Sequence, residues 1–322
     1  MSENKFFYSN PVGSREAPDP YVTFDGETGY YYLTYTRGRE VRVYRSKHIN
    51  TIMDDESIQA FAVGPEHGVY GSVWAPEMHK IGGLWYIYTC GSTEPEGREE
   101  RRLFVLKSKT SDPFDGFEFA GFPDPELAAI DPTVFVADDG SIYMCFAAEN
   151  KGNRLHIRKM KSPVEFDGGS VMICEAEYDW EAVPPYVGNS TIVEGPFFVK
   201  SPDGKRLFIL YSANGCWSDY YRLGVLEYVG GNMVSKKAWK KSPEYIFELG
   251  NGTFGPGHMS FFKSPDGSET WMAYHSMHEH NEKCVYAPRW LHFQELKFTS
   301  DGYPEKSEPL PMNVKYPAPS GE

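Results

Sequence analysis

One plan recurs five times along the 322 residues of this chain, and no other property of it narrows the possible folds as far. The segments are "DPYVTFDGETGYYYLTYT" from Asp19, "APEMHKIGGLWYIYTCG" from Ala75, "DPTVFVADDGSIYMCFA" from Asp131, "EGPFFVKSPDGKRLFILYSANG" from Glu194 and "GHMSFFKSPDGSETWMAYHS" from Gly257. Each has a polar head, a short apolar strand, a turn built on Asp-Gly or Gly-Gly, and an aromatic-rich strand. That order reads as a β-hairpin, because glycine supplies the positive φ that tight hairpin turns require.

The heads, Asp19, Glu77, Asp131, Glu194 and His258, are 58, 54, 63 and 64 residues apart, an interval that fits one four-stranded sheet per repeat. Five such sheets with no helical period between them predict an all-β, single-domain, five-bladed β-propeller with four-stranded antiparallel blades. The expected blades are 19–70, 71–125, 126–187, 188–250 and 251–322, with the N-terminal segment closing the ring. Two β-sandwiches are the alternative, but only a propeller gives the five heads a reason to meet at one end of one channel.

Composition agrees with strands and turns: 16% of residues are aromatic, beside 31 Gly and 24 Pro. A net charge of −13 without a basic run excludes the phosphate-neutralising patch of a nucleic-acid binder and makes an anionic membrane a poor partner. No apolar run reaches the length of a spanning helix, and "MSENKFFYSNPV" has neither the basic start nor the apolar core of a signal peptide, so the expected location is cytoplasmic. Five widely spaced cysteines without a C-x-x-C pair argue against a disulfide framework and a zinc ribbon.

Asp131, within "AIDPTVF", shows how the repeat changes the reading of a single residue. An aspartate before proline ordinarily opens a turn. As one of several ionisable heads at apolar strand mouths, it becomes part of a cluster of costly buried charges converging on one cavity, which marks a functional site.

With "SVWAPEMH" at 72–79, "IVEGPFF" at 192–198, "YSANGCWSDYYRLGVL" at 211–226 and "FGPGHMSFF" at 254–262, the chain resembles glycoside hydrolase family 43. Among its members it is most similar to α-L-arabinofuranosidases, through "NGCWSDYYRLG" and "GPGHMSFFKSPDG". The resemblance implies a five-bladed propeller and an inverting hydrolase, with Asp19 as general base, Glu194 as general acid and Asp131 tuning and orienting the acid. It also implies that Arg289 contacts the sugar next to the acid, and that His258 helps hold a calcium or sodium ion on the channel axis, largely through waters. No cofactor is expected for the chemistry itself.

Trp74 is expected to wall the sugar site, Glu77 to be a structural acid bonded to backbone amides, and the run with His275, His278 and His280 to form a loop bordering the cleft. The expected function is release of terminal α-L-arabinofuranosyl residues from small arabino- or arabinoxylo-oligosaccharides. A β-xylosidase with the same triad is the first alternative, and a non-catalytic sugar-binding propeller the second. A related phosphorylase would need a phosphate-holding cluster of Arg, Lys or His, for which Arg289 and scattered histidines are too thin.

Overall fold

A computed structural model describes residues 6–95, 100–149, 152–183, 191–281 and 283–322. Four antiparallel sheets follow one another along the chain, each with its strands in sequence order. The first comprises Tyr21–Asp25, Tyr30–Thr34, Glu40–Ser46 and Glu56–Ala62. The second comprises Gly71–Ile81, Leu84–Ser92, Arg101–Ser108 and Phe117–Gly121. Ala129–Val136, Ile142–Glu149, Asn153–Ser162 and Glu165–Cys174 make the third. Val193–Lys200, Leu207–Ala213, Arg222–Tyr228 and Trp239–Lys241 make the fourth.

The turn chemistry behaves as its glycines require. Ile81 pairs with Leu84 across Gly82 and Gly83, whose φ of 60° and 85° give the two-residue turn that matches strand twist.

The fifth sheet has three strands of its own, Phe254–Lys263, Thr270–Met277 and Trp290–Glu295. Its outer edge is taken by the N-terminal segment: the Val12 amide donates to the Leu291 carbonyl and the Ala17 amide to that of Arg289, both at 2.8 Å. Further along the same edge, before Val12, the buried Asn10 side chain stands in for a strand residue, donating to the Phe293 carbonyl at 2.8 Å and accepting from the Phe293 amide at 2.9 Å. The first strand of every sheet packs against that of the next, and the fifth against the first, so the sheets form a closed five-bladed β-propeller.

Between the blades lie three apolar clusters dominated by aromatic and β-branched side chains. Buried tyrosines such as Tyr31, Tyr88, Tyr211 and Tyr274 fill the wedge between sheets. Cys90, Cys145 and Cys174 are buried thiols within it, not joined in disulfides. None of the described helices is long and apolar enough to cross a membrane.

The innermost strands share a local irregularity that positions the site. Blades two to five each carry a register shift near the start of this strand, and in blade one Asp19 and Pro20 precede Tyr21. Within or beside each irregularity stands a residue with positive φ at an equivalent place, Asp19 at 54°, Ala75 at 45°, Asp131 at 54°, Gly195 at 54° and His258 at 49°, and blades two and five add a second in Ser72 and Gly255. Such a bulge leaves an extra residue unpaired and re-aims a side chain away from the alternating pattern of the strand.

By this measure the equivalent positions differ from the heads expected from sequence in two blades. Ala75 and Gly195 occupy them; Glu77 lies two residues further along its strand and Glu194 one residue earlier. Four of the five equivalent residues precede proline, and that shared step, rather than the polar character of the head, is what repeats.

Candidate active site

The bulges bring Asp19, Asp131, Glu194 and His258 together, all buried with 7–9% of their surface exposed. His258 Nδ1 lies 3.5 Å from Asp19 Oδ1 and 4.0 Å from Asp131 Oδ2. Asp131 Oδ2 accepts the Gly195 amide at 3.0 Å, tying the third blade to the residue beside Glu194. Gly195 favours this close approach: its φ is positive, and a Cβ would stand 3.1 Å from His258 Nδ1, so the imidazole would have to shift.

Asp19 is held from several sides. Arg289 Nη1 donates to Oδ1 at 3.0 Å, and Thr36 Oγ1 donates to Oδ2 at 2.6 Å while accepting the Ala75 amide at 2.8 Å. The Asp19 amide donates to His275 Nδ1 at 2.9 Å. An amide can only donate, so His275 Nδ1 is an acceptor and the imidazole is neutral. Burial, then Arg289, depresses this histidine to about 3, in agreement with that hydrogen bond.

Glu194 is held differently. Tyr221 OH donates to Oε1 at 3.0 Å and Asn153 Nδ2 to Oε2 at 2.8 Å, both without a formal charge. Burial first, and the Asp131 carboxylate second, raise Glu194 to about 8. Burial would raise Asp19 as well, but the Arg289 guanidinium, followed by His258, outweighs it and keeps Asp19 well below the ordinary carboxylate range. Two buried carboxyl groups of one channel are therefore biased to opposite protonation states at neutral pH, the pattern of an acid and base pair.

The remaining sequence expectations fare unevenly. Arg289 is in the site, where the partner it binds is Asp19. Trp74 is partly buried with the Arg101 guanidinium 3.6 Å above its ring, so one face of the expected sugar wall is covered. Glu77 is bonded to His79 Nε2 at 2.9 Å, a side chain in place of the backbone amides expected.

The histidine run divides. His275 belongs to a strand, is fully buried and touches Asp19, whereas His278 and His280 lie beyond the strand end; His278 meets His292 at 3.0 Å and His280 pairs with Asp219. Two long stretches between strands, 92–102 and 178–189, are expected from sequence to be inter-blade loops, and their residues 96–99 and 184–189 lie outside the described residues. Among the described residues no three His, Cys, Asp or Glu side chains converge as metal ligands, so an ion ligated directly by protein side chains does not fit around His258.

The sequence assigns no role to Tyr221, Asn153 or Thr36, and places His275 only in a loop bordering the cleft. Tyr221 stood within the quoted "NGCWSDYYRLG" and His275 within "HSMHEH", but neither is a head of the repeat. Asn153 carried no sequence signal at all.

Comparison with known proteins is consistent across sequence and fold. The family model described as "Glycosyl hydrolases family 43" matches residues 8–304. An "Extracellular exo-alpha-(1->5)-L-arabinofuranosidase" of Streptomyces chartreusis is 31% identical over 282 residues, covering 84% of this chain and 82% of the relative. One of the same name from Streptomyces avermitilis is 29% identical and covers 95% of this chain, which spans only 64% of that longer protein. The crystal structure of an α-L-arabinofuranosidase from Lactobacillus brevis superposes with a TM-score of 0.84 at 26% identity, covering 95% of this chain and 98% of that one. Family match, fold and paired carboxyl groups lead to one classification: the chain belongs to glycosyl hydrolases family 43 and is a glycoside hydrolase.

Proposed function

We propose that this hydrolase releases terminal α-L-arabinofuranosyl residues from short oligosaccharides with inversion at the anomeric carbon. Asp19, ionised, takes a proton from the attacking water. Glu194, protonated, gives its proton to the leaving glycosidic oxygen, and Asp131 helps keep that proton in place. The single observation carrying this reading is the opposite bias of the two carboxyl groups, Glu194 raised to about 8 and Asp19 held low. Inversion requires the two carboxyl groups roughly 6.5–9.5 Å apart to admit water. The arabinofuranosyl preference is supported by the names of the Streptomyces and Lactobacillus relatives.

An ion beside His258 enters the same proposal only as one held through waters, and it takes no part in these steps. For location, the cytoplasmic reading of the sequence stands against the word extracellular in both Streptomyces names, and fractionation of the producing cells decides between them.

Proton NMR of hydrolysis, with arabinofuranosyl-capped and xylosyl-capped oligosaccharides side by side, tests the proposal. The expected first product is β-arabinose, before mutarotation. Retained configuration would remove Asp19 as base, and faster release of xylose would make the enzyme a β-xylosidase. Chelator-treated enzyme in the same assay tests the ion.

A further inference from the structure

The two hydrogen bonds on Glu194 are chemically unequal. Asn153 Nδ2 can only donate, so Oε2, which accepts from it at 2.8 Å, is the carbonyl-like oxygen of the acid. Tyr221 OH, 3.0 Å from Oε1, can donate or accept. It is therefore able to follow the proton: it accepts from Oε1–H or leaves that hydrogen to the substrate, and it donates to Oε1 once the proton has gone.

Tyr221 is also fixed by its surroundings. Its ring is fully buried and stacks on His275 with centroids 5.7 Å apart and planes 4° from parallel. His275 in turn accepts the Asp19 amide. The ring occupies space left by Gly257, where a Cβ would lie 2.2 Å from the ring carbon Cδ1. A tyrosine serving packing alone would have no need to place its hydroxyl on a carboxyl group, because a buried hydroxyl is satisfied by any acceptor.

We propose that Tyr221 is a positioning residue that places the catalytic proton of Glu194 on Oε1, and that the Tyr221–His275 stack holds the acid in register with the backbone of Asp19. This rests on the reading of Glu194 as general acid. As the glycosidic C–O bond breaks, the proton on Oε1 passes to the leaving oxygen. Water adds to the anomeric carbon and gives its proton to Asp19. The carboxylate left on Glu194 then accepts from Tyr221 OH and Asn153 Nδ2. Without the tyrosine hydroxyl the ionised form loses a donor, so Glu194 holds its proton to higher pH and the acid is less well aimed.

The test is Tyr221→Phe, which keeps the ring stack, compared with Glu194→Gln across pH and across aryl arabinofuranosides of differing leaving-group acidity. Tyr221→Phe is expected to move the basic limb of kcat/KM upward by at least half a pH unit. It should also lower kcat about tenfold for poor leaving groups while hardly changing good ones, the scale of one misplaced proton transfer. KM should stay within about twofold, the pattern of an interaction used in the transition state.

A basic limb that does not move, with Glu194→Gln still selectively slow on poor leaving groups, overturns the role of Tyr221 and leaves the acid assignment standing. Glu194→Gln losses independent of leaving group overturn the acid assignment itself. Circular dichroism and thermal unfolding of Tyr221→Phe separate either outcome from misfolding. If that variant is unstable, Asn153→Asp supplies a second reading: a new charge beside Oε2 should also move the limb upward, and failure to do so counts against the unequal-oxygen assignment.

Discussion

At the scale of single residues, the site works by giving like side chains unlike neighbours. Asp19 and Glu194 are buried to the same degree, yet one faces a guanidinium and the other a hydroxyl, an amide and a second carboxylate. Asp131 tests this account, because it is the second cause of the raised Glu194 and its amide analogue keeps the shape. Asn tolerates positive φ, so Asp131→Asn can hold the 54° backbone, and its carbonyl can still accept the Gly195 amide. Removing the charge lowers the Glu194 value, so the proton is lost at lower pH. The basic limb, which the raised Glu194 would set, is expected to fall by about one unit, the scale of one nearby like charge. The deficit of the variant should therefore be smallest near pH 5 and grow as pH rises. A deficit constant with pH would mean that Asp131 acts only through its hydrogen bond.

At the scale of elements, the bulged inner strand converts a repeat into a site. A residue in the left-handed region costs about 1–2 kcal/mol when it is not glycine. Asp19, Asp131 and His258 bear that cost at equivalent places, where their side chains meet. Gly257 shows how tightly the neighbouring chain is fitted, since its missing Cβ makes room for Tyr221 beside Ser212, the acceptor of the His258 amide at 2.9 Å. Gly257→Ala is expected to destabilise the protein by about 1–3 kcal/mol through overpacking, and to lower kcat by moving the tyrosine ring. Denaturant unfolding of the variant in parental and Tyr221→Ala backgrounds checks the cause. The cost should shrink where the ring is gone, and an equal cost in both would place the clash elsewhere.

The same bulges explain what the sequence could and could not reveal. Hairpins were legible because their turn glycines and alternating aromatics are local signals. The frame of the heads was not, because a bulge breaks the period of two on which strand reading depends. Thus Glu77 is read from sequence as the second head where Ala75 holds the position, and Glu194 as the fourth where Gly195 does. Asn153 and His275 come from the third and second strands of their blades, and only the assembled ring brings them to the acid and the base.

At the scale of the whole molecule, the ring closes beside Asp19. The segment 7–17 edges the fifth blade through Val12, Ala17 and the Asn10 side chain, and Asp19 follows two residues later, bound to Arg289 from the blade just edged. This seam has fewer backbone hydrogen bonds than the full ladders of the other blades, so it is expected to be the first to open under denaturant. Asn10→Ala leaves the buried amide and carbonyl of Phe293 without these partners, at a cost of about 2–4 kcal/mol. If closure sets the distance between Asp19 and Arg289, activity should be lost at lower denaturant than far-ultraviolet circular dichroism in the parent protein. The gap between the two midpoints should widen in Asn10→Ala, while the bulk sheet transition moves less. Coincident midpoints in both proteins would mean that the propeller opens as one unit and that the seam has no separate hold on the site. A widened gap would make the N-terminal segment a component of the site, since the segment that completes the ring is also the tether of Asp19.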